Sequence, residues 1–521
     1  MEARRETPLG DTQDPHAMPG SWAAARRLLR WAREHWLLSI LTLAALVRFY
    51  HLTAAAIRGD EGSSLLLSQY SLAGIWEHAA HDVYPPLYFM LLHGWIDLFG
   101  DGIFSIRSLS ALPGIVTVGL GVWLVDLLAT RRAALLAGVL LALLPTAVHY
   151  SQEVRMYSLL GLWLIGATIA LMYWIRQPQR TRYLVIYTLL MSAAFYTHYF
   201  TAFCVLCHWL YLGLIRVQPG YRLRHIQRSG WWLANMAIVA LYLPWLPSLF
   251  DLVQHMDQLK TIGDVGSPVT LGSLPSMIWS FLIQDDGENL PTLIFIALPL
   301  ALLALAGVAL ARDRSVFRGS ALALIYTVLP LLLVFAVSFI APVFIERYLS
   351  AYALGVPMLV ALAIDRLYAD VKVVALAVLM LFVGVELVGL KNNATVDTDD
   401  QISVMVSYVN QHFAPGDRIV TGDMLGYLSY VYYNRTDAKP LLYTPPLADG
   451  RSSRPNAYGF GALVTDDIYL DSLGSLSKGP GRVWLVGNVD GPDEFAPLPQ
   501  GWQRLSETGA GGARARLYVL K

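Results

Sequence analysis

At 521 residues the chain could hold several soluble domains, but 55% of it is hydrophobic and only 15% is charged, with a mean hydropathy of +0.48. Globular proteins carry about 25% charged residues. Aromatic residues at 12% exclude a disordered or fibrous chain, and 38 basic against 38 acidic side chains leave no bulk charge to attract nucleic acid.

In chain order, residues 1–35 form a basic tail with Arg26, Arg27, Arg30 and Arg33. About eleven apolar runs of membrane-crossing length follow, near residues 36–53, 104–129, 133–150, 158–175, 183–200, 201–215, 231–250, 290–311, 319–341, 349–364 and 372–390. No small-residue cleavage site follows the first run, so it reads as a span and not as a signal peptide. Every second loop carries arginine or lysine: Arg131 and Arg132, then Arg176, Arg180 and Arg182, then Arg216, Arg222, Arg224 and Arg228. Arg312, Arg314 and Arg318 continue the series, followed by Arg366 and Lys372. By the positive-inside rule these loops are cytoplasmic. The amino terminus is then inside and the last segment outside. The run at 86–99 reads as an interfacial helix, because a span there would put Arg131 and Arg132 outside.

The chain thus divides into the tail, a multi-span domain at 36–390 with an outer loop at 54–103, and an extracytoplasmic domain at 391–521. In this last part, turn signals such as Pro415-Gly416-Asp417 separate short β-branched runs from a helix that Asp399 and Asp400 can cap. A small α/β domain is expected. Cys204 and Cys207, in CVLCH, match a haem-attachment spacing but sit in an apolar span, where they read as small core residues.

The outer loops mix acids and bases with aromatics and prolines: Asp60, Glu61, His81, Asp82, Glu153, Arg155, His198, Tyr199, Glu346 and Arg347. Ionisable groups at a membrane boundary are costly unless paired or solvated, so their collection on one face marks a candidate site. A carboxylate at Asp60 or Glu61 could take a proton from a hydroxyl or amine nucleophile, or the pair could simply cap a helix. Arg48, Arg107, Arg155 and Arg347 each lie near the outer end of a span, where arginine grips a phosphate, snorkels or pairs with a neighbouring acid, as Arg347 could with Glu346; Arg155 and Arg347 are the foremost phosphate candidates. Glu153 could orient an acceptor or hold Arg155. Asp285, Asp286 and Glu288 lie in a long outer loop, 251–289, that reads as a lid or acceptor contact.

Arg48, Asp60-Glu61, Asp82-x-Tyr84-Pro85-Pro86-Leu87-Tyr88, Phe99-Gly100, Arg107 and Tyr150-Ser151-Gln152-Glu153-Val154-Arg155-Met156-Tyr157 together resemble glycosyltransferase family 39. This family of the GT-C fold includes protein O-mannosyltransferases and lipid A aminoarabinose transferases. The resemblance implies an inverting, metal-independent transfer on the outer face of the cytoplasmic membrane, with no cofactor. The sugar would pass from a polyprenyl-phosphate donor to a glycan, lipid or protein acceptor. It makes Asp60 the general base, with Glu61 beside it, and places Arg48, Asp82, Tyr84, Arg107, Glu153, Arg155, Tyr157, His198, Tyr199, Arg347 and Tyr348 around the substrates. Two departures stand out: Glu153 is offset from the aspartate of the aminoarabinose transferases, and the lumenal repeats of the eukaryotic mannosyltransferases are missing. A polytopic transporter or lipid flippase is the competing reading, and a membrane scaffold displaying the α/β domain is another. Transporters tend to place charges near the midplane in repeated halves.

Overall fold

A computed structural model describes residues 35–215, 224–255, 269–341, 343–395, 402–447, 449–455, 459–465, 467–477, 481–489, 493–510 and 512–520. The basic tail, Arg216, Arg222 and the Asp399-Asp400 cap lie outside the described residues. The first part is helical: α1 (Trp36–Phe49), α2 (Gly59–Ser68), α3 (Leu72–Ala79), α4 (Leu87–Phe99), α5 (Ile103–Leu128), α6 (Arg131–Leu143) and α7 (Pro145–His149). It continues with α8 (Tyr157–Arg176), α9 (Arg182–Phe195), α10 (Thr201–Leu214), α11 (Ser229–Tyr242) and α12 (Leu246–Gln254). Then come α13 (Ser273–Ile283), α14 (Thr292–Ala311), α15 (Gly319–Val337), α16 (Glu346–Ala353), α17 (Gly355–Asp370) and α18 (Lys372–Thr395).

Each of the expected apolar runs holds a helix, and among the described residues 7 helical stretches, counting Ser229–Gln254 and Glu346–Asp370 as continuous, are long and apolar enough to cross a membrane. The others fall short for local reasons. The run at 133–150 breaks at Leu144, where Pro145 cannot supply the next backbone N–H, so α6 ends and the five-residue α7 begins. Thr130 starts α6 by accepting the Ala133 N–H. The interfacial run becomes the 13-residue α4, closed by Gly100 at φ 80°, a conformation that glycine adopts without penalty. One helix was not anticipated. The stretch SLPSMIWSFLI forms α13 inside the loop read as a lid, and it packs on α7, α14, α16 and α18.

The spans bury one continuous apolar core from Ile40 to Phe382. Their arginine-bearing turns meet at one end of the bundle, where Arg132 binds Asp365 at 2.6 Å, Arg312 binds Asp370 at 2.5 Å and Arg366 binds Asp313 at 3.2 Å. The acids and bases of the other loops gather at the opposite end, under the carboxyl-terminal domain.

That domain contains α19 (Ile402–His412), β1 (Arg418–Thr421), α20 (Met424–Tyr433), β2 (Leu441–Tyr443), β3 (Tyr469–Leu470), β4 (Gly481–Asn488), β5 (Gln503–Ala510) and β6 (Ala513–Leu520). The sheet order is β3-β2-β1-β4-β6-β5, parallel across the first four strands and antiparallel beyond. Val483, Trp484 and Leu485 are fully buried at its centre, as a strand covered on both faces requires. The edge strand β5 is polar, exposed and bulged between Arg504 and Ser506, a protection against edge-to-edge pairing.

Candidate active site

The site is built on α2, whose first turn carries Asp60 and Glu61, placed to favour the helix dipole. Consecutive residues on a helix diverge in direction, and these two meet different partners. Glu61 turns inward and is 3% exposed. Its carboxylate takes two hydrogen bonds from Arg107, at 2.7 and 2.9 Å, and another from the Val154 N–H at 2.9 Å. Arg107 spends its remaining donors on the carbonyls of Leu52, Ala55 and Ala56. This pair ties the chain between α1 and α2 to α5, and both side chains are almost wholly buried.

Asp60 faces the other way. Its Oδ2 lies 2.5 Å from Arg347 Nη1, with the two side chains 41% and 34% exposed. Arg155 reaches the same turn from below, donating to the Asp60 carbonyl at 3.0 Å and to Ser64 Oγ at 3.1 Å. Arg155 lies under the Tyr84 ring, 4.6 Å from its centroid, and the Tyr84 and Tyr157 hydroxyls share a hydrogen bond of 2.8 Å. Tyr348 and His198 close the cluster, their ring centroids 6.2 and 5.6 Å from that of Tyr84. His198 Nδ1 accepts the Phe200 N–H at 3.1 Å, which leaves the ring proton on Nε2. Among the described residues, His198 Nε2 and the Nε groups of Arg155 and Arg347 are buried without an acceptor. Two guanidiniums, one carboxylate and unsatisfied donors make a cluster suited to an anion.

The other expected site residues stand apart. Arg48 is 1% exposed and donates to the carbonyls of Ala142, at 3.0 Å, and Leu141, at 3.3 Å, closing the carboxyl end of α6. Asp82 is 3% exposed and accepts the N–H groups of Tyr84 and Gly461, at 3.2 and 3.0 Å, so it joins the first loop to the carboxyl-terminal domain. Burial pushes its carboxyl up to about 6, against the opposing pull of Arg155 and these N–H groups. Tyr199 accepts from Trp245 Nε1 at 3.2 Å.

Glu153 lies 3.3 Å from His149 Nε2. Enclosure raises its carboxyl, but the His149 hydrogen bond and the charges of His149, Arg155 and Arg347 outweigh this and hold it below the usual range. Both residues border a cavity of about 480 Å³ whose walls include Leu46, Leu52, Arg58, Leu390 and Lys391. Asp285 and Asp286 accept the N–H groups of Gly287 and Glu288, at 2.7 and 3.0 Å.

Sequence reading missed His149, Ser64 and Gly461. His149 carried a usable signal, a base four residues before the acid Glu153, although the helix ends at His149 and the pair forms across the turn that follows. Gly461 carried none, because its contribution is a backbone N–H.

Residues 83–247 match the family model described as dolichyl-phosphate-mannose-protein mannosyltransferase. No curated protein matches the chain. Among solved structures, ArnT from Cupriavidus metallidurans in the apo state aligns over 94% of this chain and 98% of its own, at 16% identity and a TM-score of 0.64. The same protein bound to undecaprenyl phosphate covers the same shares at 16% identity with a TM-score of 0.61. The Archaeoglobus fulgidus oligosaccharyltransferase aligns more loosely, over 78% of this chain and 66% of its own, at 13% identity and a TM-score of 0.49. With the GT-C fold over nearly its whole length and the mannosyltransferase match across the loop and spans that hold Tyr84, Arg155 and His198, the chain is a membrane glycosyltransferase that resembles family 39.

Proposed function

We propose that this glycosyltransferase moves a sugar from a polyprenyl-phosphate donor to an acceptor on the extracytoplasmic face of the cytoplasmic membrane, with Asp60 as general base. The observation that carries the reading is the junction of Asp60 with Arg347 and Arg155. A base and two phosphate-binding cations meet at the membrane-boundary end of the bundle. Undecaprenyl phosphate, the ligand of the structurally similar ArnT, is the type of lipid product such a site would release. The gathering of the arginine-rich turns at the far end supports an extracytoplasmic site.

In the reaction the acceptor hydroxyl or amine gives its proton to Asp60 Oδ. Its lone pair attacks the anomeric carbon from the face opposite the leaving group, so the configuration inverts. The anomeric C–O bond breaks, and its electrons leave on the lipid phosphate, where Arg155 and Arg347 offset the charge. One O–H of the Tyr84–Tyr157 pair is used in their shared hydrogen bond, and the other is left to donate to a phosphate oxygen. In the free protein Arg347 is engaged by Asp60. An entering phosphate competes for that guanidinium and releases the carboxylate to act as base.

Asp60→Asn keeps the size and most of the hydrogen bonding but removes the basicity. Transfer of labelled sugar in membranes should fall by about 10²–10⁴-fold, with undecaprenyl phosphate still bound. Glu61→Gln should behave differently, because it strips a buried guanidinium of its counter-ion at a cost of roughly 3–5 kcal/mol in stability. Near-normal transfer by Asp60→Asn would remove Asp60 from this role.

A further inference from the structure

The helix that carries Asp60 is held on several sides, and one of these contacts comes from the far end of the chain. Arg155 pins the Asp60 carbonyl and Arg107 pins Glu61. A further contact is made at two glycines. Gly59 and Gly62, three residues apart on α2, lie against α20 of the carboxyl-terminal domain. A Cβ on Gly62 would stand 2.4 Å from the Leu428 carbonyl oxygen, and one on Gly59 would stand 2.8 Å from Leu425 Cδ2 and 3.2 Å from its Cα. At its other end α20 supplies Tyr433, whose hydroxyl accepts the Ile57 N–H at 2.8 Å, just ahead of α2. A second contact joins the same domain to the next motif. Gly461 donates its N–H to Asp82 and takes a hydrogen bond from His78 Nδ1 at 3.0 Å, while the Gly459 N–H reaches the His81 carbonyl at 3.0 Å.

These contacts differ from ordinary domain packing. Side-chain interfaces absorb small shifts by changing rotamers, but at Gly62 the neighbour is the Leu428 backbone carbonyl, and a glycine against backbone has no rotamer to change. A movement of α20 is therefore passed to α2, and with it to the 2.5 Å Asp60–Arg347 contact. A displacement of about 1 Å in a reacting group can cost on the order of 10²-fold in rate.

We propose that α20 is a positioning element of the active site, with Leu425, Leu428 and Tyr433 setting the place of the Asp60 helix. The carboxyl-terminal domain is then part of the catalytic framework. The catalytic consequence rests on Asp60 being the base; the mechanical coupling does not.

The test uses the full-length protein in proteoliposomes and in membranes carrying its own polyprenyl-phosphate sugar pool. Gly59→Ala pushes against Leu425, and Leu425→Ala removes the nearest atom in its way. Gly59→Ala should lower the transfer rate by about tenfold or more while leaving undecaprenyl phosphate affinity within about twofold. It should also speed amide exchange across residues 57–68. Adding Leu425→Ala should restore both rate and exchange to within about threefold of the parent. Tyr433→Phe, a milder change should Gly59→Ala not fold, should lower the rate about threefold and loosen the same amides. An unchanged rate in Gly59→Ala and Tyr433→Phe, a rate loss without faster exchange, or failure of the double variant to recover would each overturn the proposal. Asp60→Asn is assayed alongside. If it stays active the base assignment fails, while the exchange data still decide whether α20 holds α2.

Discussion

Asp82 and Glu61 are both buried carboxylates, but they are held by different partners. Glu61 has Arg107 as a full counter-ion, whereas Asp82 relies mainly on backbone N–H groups, with Arg155 as its charged neighbour. The Asp82 carboxyl ionises near 3.8 in an unfolded chain and is held up to about 6 here. The folded state therefore keeps a proton that the unfolded chain has released between those values. Its stabilising contribution is fully present below the unfolded value and is lost as pH rises through about 6. A displacement of this size corresponds to roughly 3 kcal/mol. Thermal melts in detergent should show wild type losing stability from pH 4 to 7 by that order relative to Asp82→Asn. Parallel pH curves for the two proteins would show that Asp82 does not titrate in this window. Residue types and positions picked out Asp60 and set Arg155 and Arg347 ahead of Arg48 and Arg107 as phosphate partners, but they named no contact that separates the two pairs. All four sit at span ends. What distinguishes Arg48 is a pair of carbonyls more than ninety positions away in sequence, which no side-chain pattern reveals.

At the level of elements, hydrophobic runs located the helices but not their breaks. The run at 133–150 is continuous in hydropathy, and only the loss of an N–H at Pro145 divides it. The helix α13 escaped notice because 11 residues are too few for a span, although Leu274, Met277, Ile278, Phe281 and Leu282 recur at helical spacing and face the core. The division at Leu144 exposes the last carbonyls of α6, and Arg48 from α1 satisfies two of them. Arg48→Met keeps the apolar stem and removes these donors, leaving buried acceptors unmet at about 1–3 kcal/mol each. It should lower the melting temperature while leaving undecaprenyl phosphate binding intact. A variant that melts like wild type but no longer binds the lipid would assign Arg48 to the site.

For the whole molecule, the alternation of arginine-rich loops predicts the topology, and the structure gathers arginine-bearing turns at one end and the outer-loop acids and bases at the other. The fold class follows from that pattern, but the docking of the carboxyl-terminal domain on α2 does not, since it depends on glycine and backbone contacts. Orientation has a direct check. Cys204 and Cys207 are buried, so the background to thiol labelling is low. A cysteine placed at exposed Ser452, in the carboxyl-terminal domain, should react with an impermeant reagent in intact cells, and one at exposed Arg314 should react only after permeabilisation. The reverse pattern would put Asp60 on the cytoplasmic side and remove the lipid-linked donor argument.

The ion pair between Asp60 and Arg347 also bears on the order in which substrates are used. With the carboxylate engaged, an acceptor that arrives first meets a base already holding a cation, and its proton has nowhere to go. A donor that arrives first displaces that cation with its own phosphate and readies the carboxylate in the same event. The enzyme would then follow a compulsory sequence, lipid-linked sugar before acceptor, and acceptor in excess would slow turnover by filling the empty protein.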